Sequence, residues 1–566
     1  MSKNSDAAIA LLEKHFDIAF AAPDGIKKLR ELILSLAMQG KLVAQDPSDQ
    51  PASELLKEIE EEINLSKLIS ESKLNRQLNI LPKSWRWMRV GDIFELKSGY
   101  SFPKEDELQS GQYMYLKVGE MNAKGNEIAI TSTSIFLNES PRVVNALIPA
   151  NSIIFPKRGG AIATNKKRLV IKPICVDTNI MAMICPINVE LNFAYNWILS
   201  LDLATLNTGT SVPQINNKDI NPLLFPLPPL AEQRRIVAKI DELMARCDEL
   251  ERLRGDRDRK QITVHNSALN RLIIAKEQSD FNTAWQFITQ HFGELYSVKE
   301  NVTELRKAIL QLAVMGKLVP QDPNEQPASE LLKEIEKEKE RLVKEGKIKK
   351  SQPLPQVTPD EIPYDLPQSW KWARLGNVSI SSDSGWSPQC LPEPRSGQEW
   401  GVLKVSAVSW GEFRPEENKA LPQGIEPKPE CEVRAGDFLL SRANTDELVA
   451  RSVVVKGSPS HLMMSDKIVR FNLSQKNNKN FINYTNLSPF SRNYYACNAS
   501  GTSSSMKNIS REVMNNLPIP IPPLAEQHRI VAKIDQLMAL CDNIEKQIDA
   551  ANSKQTNLLN AVMTKI

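Results

Sequence analysis

Residues 228–248, PPLAEQRRIVAKIDELMARCD, predict the beginning of a long helix, and nearly the same text returns at 522–542 as PPLAEQHRIVAKIDQLMALCD. Proline suits the approach to a helix and its first turn, but not its interior. Apolar residues then follow at intervals of four and three, which is the heptad spacing of a coiled-coil seam. The chain therefore contains two copies of one long amphipathic helix.

The apolar stripe of each copy allows two interpretations. The stripes consist of Ile236, Ile240, Leu243, Cys247 and Leu250 in the first copy, and of Ile530, Ile534, Leu537, Cys541, Ile544 and Ile548 in the second. The two helices can pair with each other as an antiparallel coiled coil, which is the interpretation we favour. The alternative is that each stripe packs on its own globular domain.

The duplication extends outward from these helices over most of the chain. The other matched blocks are LRELILSLAMQGKLV (29–43) with LRKAILQLAVMGKLV (305–319), PASELLKEIE (51–60 and 327–336), and LPKSWRWMRVGDI (81–93) with LPQSWKWARLGNV (366–378). Between them, residues 94–208 and 379–500 are dissimilar. We interpret the chain as a frame that occurs twice around unlike contents, with one mechanical role for the frame and two recognition roles for the contents. Neutral drift after duplication is the alternative.

Composition limits the possible functions. The chain has 566 residues, which at roughly 150 residues per domain indicates three to four domains. The net charge of 71 − 68 = +3 excludes a blanket of positive charge but leaves room for a local basic patch. The seven cysteines are scattered without a CxxC motif, which predicts reduced thiols, a cytoplasmic location and no structural zinc site. No apolar run approaches 18 residues, so we expect no membrane contact.

The middle of each half contains short apolar runs between turn residues, which predict strands. The predicted fold class is α+β: two mixed α/β domains separated by long antiparallel coiled-coil helices, with a pseudo-twofold internal repeat. The predicted domains are an N-terminal helical block (1–80), a first globular domain (81–226), a spacer helix (227–275), a second helical block with a proline-rich linker (281–365), a second globular domain (366–520) and a C-terminal spacer helix (521–566).

No catalytic motif is present in the sequence. The phosphate-binding pattern GxxxxGK[ST] does not occur, which argues against ATP hydrolysis. Asn221-Pro222-Leu223-Leu224 lacks the second proline and the aromatic residue of an adenine methyltransferase loop. We therefore expect a non-catalytic protein.

The combination of motifs resembles the specificity subunit of type I restriction–modification enzymes. The resemblance covers essentially the whole chain, and it rests on LPxSWxW, on VGDI or LGNV, and on the duplicated PPLAEQxRIVAKID. It implies that each dissimilar segment is a target-recognition domain that reads one half of a bipartite DNA site. It also implies that the repeated helices bind two methyltransferase (modification) subunits, which ATP-dependent restriction subunits join. This chain would hold no cofactor itself; S-adenosylmethionine, ATP and Mg²⁺ are expected on the partner subunits.

DNA binding requires cations for phosphates, and guanidinium or amide groups for base edges. In the first domain we select the loop PKRGGAIATNKKR (156–168), in which Arg158 and Asn165 have the chemistry to read guanine and adenine. Two further candidate loops begin at Lys97 and at Gly209. The candidate DNA-binding residues of this domain are Lys97, Tyr100, Ser101, Lys157, Arg158, Gly159, Gly160, Asn165, Lys166, Lys167, Thr210, Gln214 and Lys218. The alternative for 156–168 is a solvated hairpin tip, and for the other loops ordinary turns.

The second domain has segments in corresponding positions. The loop at 383–389 corresponds to the loop that contains Gly99, and 441–445 corresponds to the Arg158 loop. The candidates are Trp386, Gln389, Ser441, Arg442, Asn444, Thr502, Ser503 and Lys507. Trp410 could stack on a base, but we expect it in the core. On the frame, Arg234, Arg235, Arg529 and Lys533 are candidate contacts for a partner subunit.

A rival hypothesis comes from a different class of protein. A coiled-coil scaffold or adaptor with two protein-binding domains would show the same repeat. Binding of duplex DNA that weakens steeply with salt distinguishes the two hypotheses.

Overall fold

A computed structural model describes residues 21–63, 81–206, 212–501 and 506–563. The chain divides into two compact units: unit 1 contains residues 1–256 and 552–566, and unit 2 contains residues 257–551. The boundary falls inside each of two long helices. The first helix therefore begins in unit 1 and ends in unit 2, and the second makes the same crossing in the opposite sense.

Unit 1 combines helices from both ends of its sequence with strands from the middle. Its elements are α1 (Gly25–Met38), α2 (Ala52–Ile63), β1 (Arg86–Arg89), α3 (Val90–Ile93), β2 (Glu95–Ser98), β3 (Tyr113–Leu116), β4 (Ala129–Ile130), β5 (Phe136–Leu137), α4 (Pro141–Ala146), β6 (Ser152–Pro156), β7 (Arg168–Val170), β8 (Ile174–Val176), β9 (Ile180–Ile184), α5 (Leu191–Leu199), α6 (Asn217–Ile220), β10 (Leu224–Leu227) and α7 (Leu230–Ile274).

Unit 2 contains the second copy of this plan. Its elements are α8 (Gln278–Gln290), α9 (Phe292–Leu295), α10 (Lys299–Val314), α11 (Ala328–Lys344), β11 (Lys371–Arg374), α12 (Leu375–Val378), β12 (Ser379–Ser384), β13 (Gly401–Leu403), β14 (Asn418–Ala420), β15 (Phe438–Ser441), β16 (Ala443–Asn444), β17 (Ser452–Val454), β18 (Leu462–Met463), β19 (Ile468–Leu473), α13 (Lys479–Leu487), α14 (Pro489–Asn498), β20 (Lys507–Asn508), α15 (Arg511–Asn515), β21 (Pro518–Ile521) and α16 (Leu524–Met563).

The sheets of the two units correspond in order. Unit 1 has a sheet in the order β2-β9-β6-β7-β4, a sheet β5-β3-β8 and a strand pair β1-β10. Unit 2 has β12-β19-β15-β17, β14-β13-β18 and the pair β11-β21, with a further short pair β16-β20. The central strands are buried along their whole length, for example β6 and β15. The predicted mixed helix–strand fold with an internal repeat is confirmed.

One buried cluster of the frame is built identically in both units. In unit 1 the Trp85 indole donates to Glu232 at 2.9 Å, and the Gln45 amide donates to the other carboxylate oxygen at 2.6 Å. In unit 2 Trp370 and Gln321 make the same bonds to Glu526, at 2.9 and 2.7 Å. These residues come from the repeated blocks, which explains why their identities agree between the copies.

The apolar stripe of each long helix packs first within its own unit. Ile236, Ile240 and Cys247 of α7 share a buried core with Ile33 and Leu34 of α1. The corresponding stripe of α16 lies in one core with α10. For these stripe residues the structure agrees with the alternative interpretation, in which each stripe packs on its own domain. The 45-residue length of α7 fits a coiled coil.

Ion pairs fix the same helices in both copies. Arg30 of α1 binds Asp248 at 2.6 Å, as Arg306 of α10 binds Asp542 at 2.7 Å. Two of the arginines that we selected as partner contacts instead bind carboxylates within the frame: Arg235 binds Asp49, and Arg529 binds Glu325. Their guanidinium groups hold the frame together. Arg234 and Lys533 remain candidates for contact with a partner.

Candidate nucleic-acid interface

In unit 1 two of the predicted loops leave the same end of the large sheet. Strands β2 and β6 both run antiparallel to β9, so both end beside its first residue. The amide of Gly99 donates to Ile180 O at 3.1 Å, and the amide of Lys157 donates to Asn179 O at 2.8 Å. A side-chain bond of 2.7 Å from Lys157 Nζ to Ser98 Oγ joins the two loops.

The third predicted segment joins them through its backbone. Gly159 N donates to Pro213 O at 2.8 Å, and Ile215 N donates to Lys157 O at 2.9 Å. Arg158 and Gln214 form the bridge between these bonds. Three segments that are far apart in sequence therefore meet at one edge of unit 1.

Unit 2 repeats this junction with other side chains. Gly385 N donates to Ile468 O at 3.3 Å, and Arg442 N donates to Lys467 O at 2.7 Å. Ile509 N donates to Arg442 O at 2.9 Å, and β16 pairs with β20. The correspondence predicted between the loops of the two domains is confirmed by these backbone bonds.

Glycine is required where the first loop begins, because two backbones approach closely. A Cβ on Gly99 would lie 1.9 Å from Asp177 O, and a Cβ on Gly385 would lie 2.1 Å from Met464 O. Either contact is far inside van der Waals distance. The two glycines therefore fix where the loops leave the sheets, whatever side chains follow.

Some predicted residues of unit 1 are available at this edge. Arg158 and Lys218 are exposed, and neither side chain makes a hydrogen bond or ion pair with the described part of the chain. Tyr100 is 47% exposed, with its ring 5.1 Å from Phe102, and Ser101 is exposed. Gly159 and Gly160 have open space at the position of a Cβ, and Gly159 has φ 76°. These groups suit contact with phosphates and base edges.

Four other predicted side chains are tethered near the same edge. Lys97 Nζ donates to the carbonyls of Asn145 and Leu147, at 3.0 Å each. Lys166 donates to Asn122, Gln214 donates to Asn216 at 2.9 Å, and Lys157 is held by Ser98. The three lysines bind neutral groups, so their positive charges are not neutralised by these bonds.

Asn165 and Lys167 hold the loop itself. Lys167 is 1% exposed, and its ammonium donates to Asn165 Oδ1 and Leu201 O at 2.7 Å each. Burial lowers the pKa of Lys167 to about 8. Asn165 has a left-handed backbone, with φ 53°, and its Oδ1 also accepts the amide of Leu203. The adenine contact expected of Asn165 and the DNA contact expected of Lys167 do not fit this arrangement.

Unit 2 presents different side chains at its edge. Arg442 and Gln389 are exposed and make no side-chain bond to any residue described. Trp386 is half-buried, with Lys428 Nζ 4.6 Å from its ring centre. Asn444 donates to Ser409, and Lys507 donates to Gly501 O and lies 3.7 Å from Asp446.

One predicted residue of unit 2 is buried, and three predicted residues, one in unit 1 and two in unit 2, lie outside the described residues. Ser441 is fully buried and donates to Leu448 O, so its expected DNA contact does not fit the fold. Thr210, Thr502 and Ser503 fall outside the described residues.

Two further groups on unit 2 are exposed: Lys467, which was not among the predicted residues, and Trp410, which was expected in the core. Lys467, whose carbonyl accepts the amide of Arg442, is exposed at the position that Asn179 has in unit 1. Nothing in the sequence distinguished it from other surface lysines. Trp410, expected in the core, is 54% exposed with the Arg414 guanidinium 5.7 Å from its ring centre.

The described residues contain neither a metal-binding cluster nor a membrane-spanning helix. Over residues 21–63, 81–206, 212–501 and 506–563, no three His, Cys, Asp or Glu side chains are placed to share a metal ion. Within the same ranges, no helix combines the length and the apolar character needed to span a bilayer.

Comparisons with known proteins converge on one family. The family described as type I restriction modification DNA specificity domain matches residues 82–256 and 411–551. The type I restriction enzyme EcoEI specificity subunit of Escherichia coli is 34% identical, over 95% of this chain and 93% of that protein. The EcoAI specificity subunit of the same species is 30% identical over the same shares. A solved chain from a study of assembly and conformational transition of the type I R-M system has 20% identity, covers 86% of this chain and 98% of its own, and has a TM-score of 0.49.

Proposed function

The chain belongs to the type I restriction–modification specificity family, and on that premise we propose that it reads a bipartite, asymmetric DNA site, one half with each unit. One observation carries this proposal. In both units three segments of unlike sequence meet at the same edge of the sheet, and each edge presents an arginine without a partner among the described residues: Arg158 in unit 1 and Arg442 in unit 2. Guanidinium is the commonest reader of guanine in the major groove.

We propose that the repeated frame has a second task, to dock two methyltransferase subunits, which the restriction subunits join. The same helices are held together in the same way around the buried carboxylates Glu232 and Glu526, so a frame of one design is available to one kind of partner at two places. S-adenosylmethionine, ATP and Mg²⁺ belong to those partners in this proposal, and the chain itself contributes recognition without catalysis.

Exchange of a variable segment tests the proposal. Replacement of residues 94–208 by the corresponding segment of another family member should change one half of the methylated site and leave the other half and the spacing intact. Methylation profiling of host DNA measures both halves in one experiment. A change in both halves would contradict recognition by separate units. Absence of salt-sensitive binding to duplex DNA, with the partner subunits present, would favour the adaptor hypothesis instead.

A further inference from the structure

Both units carry the same small surface next to the strand pair that closes each domain. We call it the tryptophan–arginine face; it consists of Trp87, Arg89 and Gly91 in unit 1, and of Trp372, Arg374 and Gly376 in unit 2. Arg89 pairs with Leu224 in β10, as Arg374 pairs with Pro518 in β21. The residue that follows each arginine in sequence donates its backbone amide to a carbonyl of the opposite segment, at 2.9 Å in both units. The two faces therefore have the same backbone and the same three residue types.

In unit 2 a proline-rich segment, residues 351–364, covers this face. Arg374 Nε donates to Pro355 O at 3.1 Å, and one terminal nitrogen donates to Gln356 O at 3.0 Å. The two terminal nitrogens also bind both carboxylate oxygens of Glu361, at 2.6 and 2.7 Å. One guanidinium thus holds two successive carbonyls and a carboxylate, and Arg374 is only 4% exposed. The Arg374 hydrogen bond lowers the pKa of Glu361 to about 2.

Apolar contacts complete this covering. A Cβ on Gly376 would lie 2.6 Å from Leu354 Cδ1, so glycine is what allows the leucine to approach. Tyr364 packs on Trp372, with ring centres 5.3 Å apart. The face therefore recognises an extended segment by its carbonyls, one acidic side chain and two apolar ones.

Among the described residues, unit 1 has no counterpart of the segment that covers Arg374 in unit 2. Arg89 is exposed, and its guanidinium makes no hydrogen bond or ion pair with the described residues. Gly91 is exposed as well. Asp92 lies near Arg89 and accepts its backbone amide, in the place where unit 2 has the neutral Asn377.

The sequence that precedes the face in unit 1 lacks the chemistry of the covering segment. Five residues before Leu366 stands Glu361, whereas five residues before Leu81 stands Arg76. The covering segment has prolines at 353, 355, 359 and 363, but no proline occurs from Ala52 to Leu81. The sequence before Leu81 therefore does not repeat the acidic and proline residues that hold Arg374 in unit 2.

We propose that the tryptophan–arginine face of unit 1 binds an extended, proline-containing acidic segment of a partner protein. Proline-rich segments are already extended when free, so they lose little entropy on binding to an aromatic surface. A bidentate arginine–carboxylate pair adds strength and fixes the register. Arg89 supplies the charge complementarity, and the covering segment of unit 2 shows which ligand chemistry this face accepts.

A peptide added in trans tests this docking site. The probe is a fluorescent peptide with the sequence of residues 351–364, titrated into the full-length protein and followed by anisotropy. We expect saturable binding to the wild type, and affinity at least about tenfold weaker for Arg89→Ala or for a peptide with Glu361→Gln. Arg89→Glu should lose the wild-type peptide and gain one with Glu361→Lys. Thermal unfolding of each variant serves as the folding control.

Two results would overturn the proposal. One is the absence of saturable binding of the peptide to the wild type. The other is equal affinity for wild type and Arg89→Ala, which would place the peptide elsewhere on the molecule. Neither result depends on whether the two units read DNA.

Discussion

The two hydrogen bonds to the frame carboxylate agree in length to within 0.1 Å between the units, while the loops at the sheet edges differ in most of their side chains. The indole–carboxylate distance is 2.9 Å in both Trp85–Glu232 and Trp370–Glu526. At the sheet edges the backbone bonds also correspond, yet Arg158 and Lys218 stand at one edge and Arg442 and Gln389 at the other. The comparison shows that buried side chains and backbone bonds hold the same shape in both units, while the exposed side chains differ.

The largest expected effect is a loss of stability when a frame carboxylate is removed. Glu232→Ala leaves the buried Trp85 indole without an acceptor and should destabilise unit 1 by about 2–4 kcal/mol. Glu526→Ala should destabilise unit 2 by a similar amount. Burial raises the pKa of both carboxyls, so Glu232→Gln, which keeps an acceptor and removes the charge, should have a much smaller effect.

Hydrogen exchange, followed separately in the two units, measures where stability is lost. Each alanine variant should increase exchange mainly in its own unit. If Glu232→Ala is severe and Glu526→Ala is harmless, the two clusters do not have the same mechanical role.

A smaller effect, on affinity for DNA, is expected when either of the two exposed arginines is replaced. Arg158→Ala should reduce affinity for the cognate site by about 1–3 kcal/mol and relax discrimination at one base pair. Arg442→Ala should do the same in the other half-site. Titration of cognate and singly substituted duplexes separates the two. Loss of discrimination at the same base pair in both variants would mean that the edges do not read different halves.

The smallest effect is expected from the lysines around Arg158. Lys166→Ala and Lys218→Ala should each lower the magnitude of the slope of log affinity against log salt by about 0.9, if each contacts one phosphate. Lys167→Met should leave that slope unchanged and reduce stability, since Lys167 is buried. Titration of one duplex at several salt concentrations measures the slopes. A folded Lys167→Met variant with a reduced slope would place Lys167 at the DNA after all.

The sequence predicted the repeat, the long helices and the correspondence of the loops because these features are local patterns that occur twice. It could not predict which basic residues face solvent. Lys167 is identified as a structural residue only by its hydrogen bonds to Leu201 O and Asn165, and Leu201 is 34 residues away in the sequence. Ser441 looks like a loop residue in sequence but is the buried last residue of β15.

The helix stripes show the same limit. Heptad spacing indicates a face that is buried, but not what covers it, and Ile236 and Ile240 lie in the core of unit 1. Likewise, the agreement of Arg89 with Arg374 was visible in the sequence. That one is buried and the other exposed became visible only in the fold.

The bond from Trp85 to Glu232 also closes a chain loop, and its length matters little to folding. The two partners are 147 residues apart in unit 1, and Trp370 and Glu526 are 156 apart in unit 2. Loop-closure entropy grows only with the logarithm of length, about 0.6 kcal/mol for each doubling. A difference of 156 − 147 = 9 residues is therefore nearly without thermodynamic consequence. A frame that closes at its ends can accept recognition segments of different lengths at almost constant entropic cost.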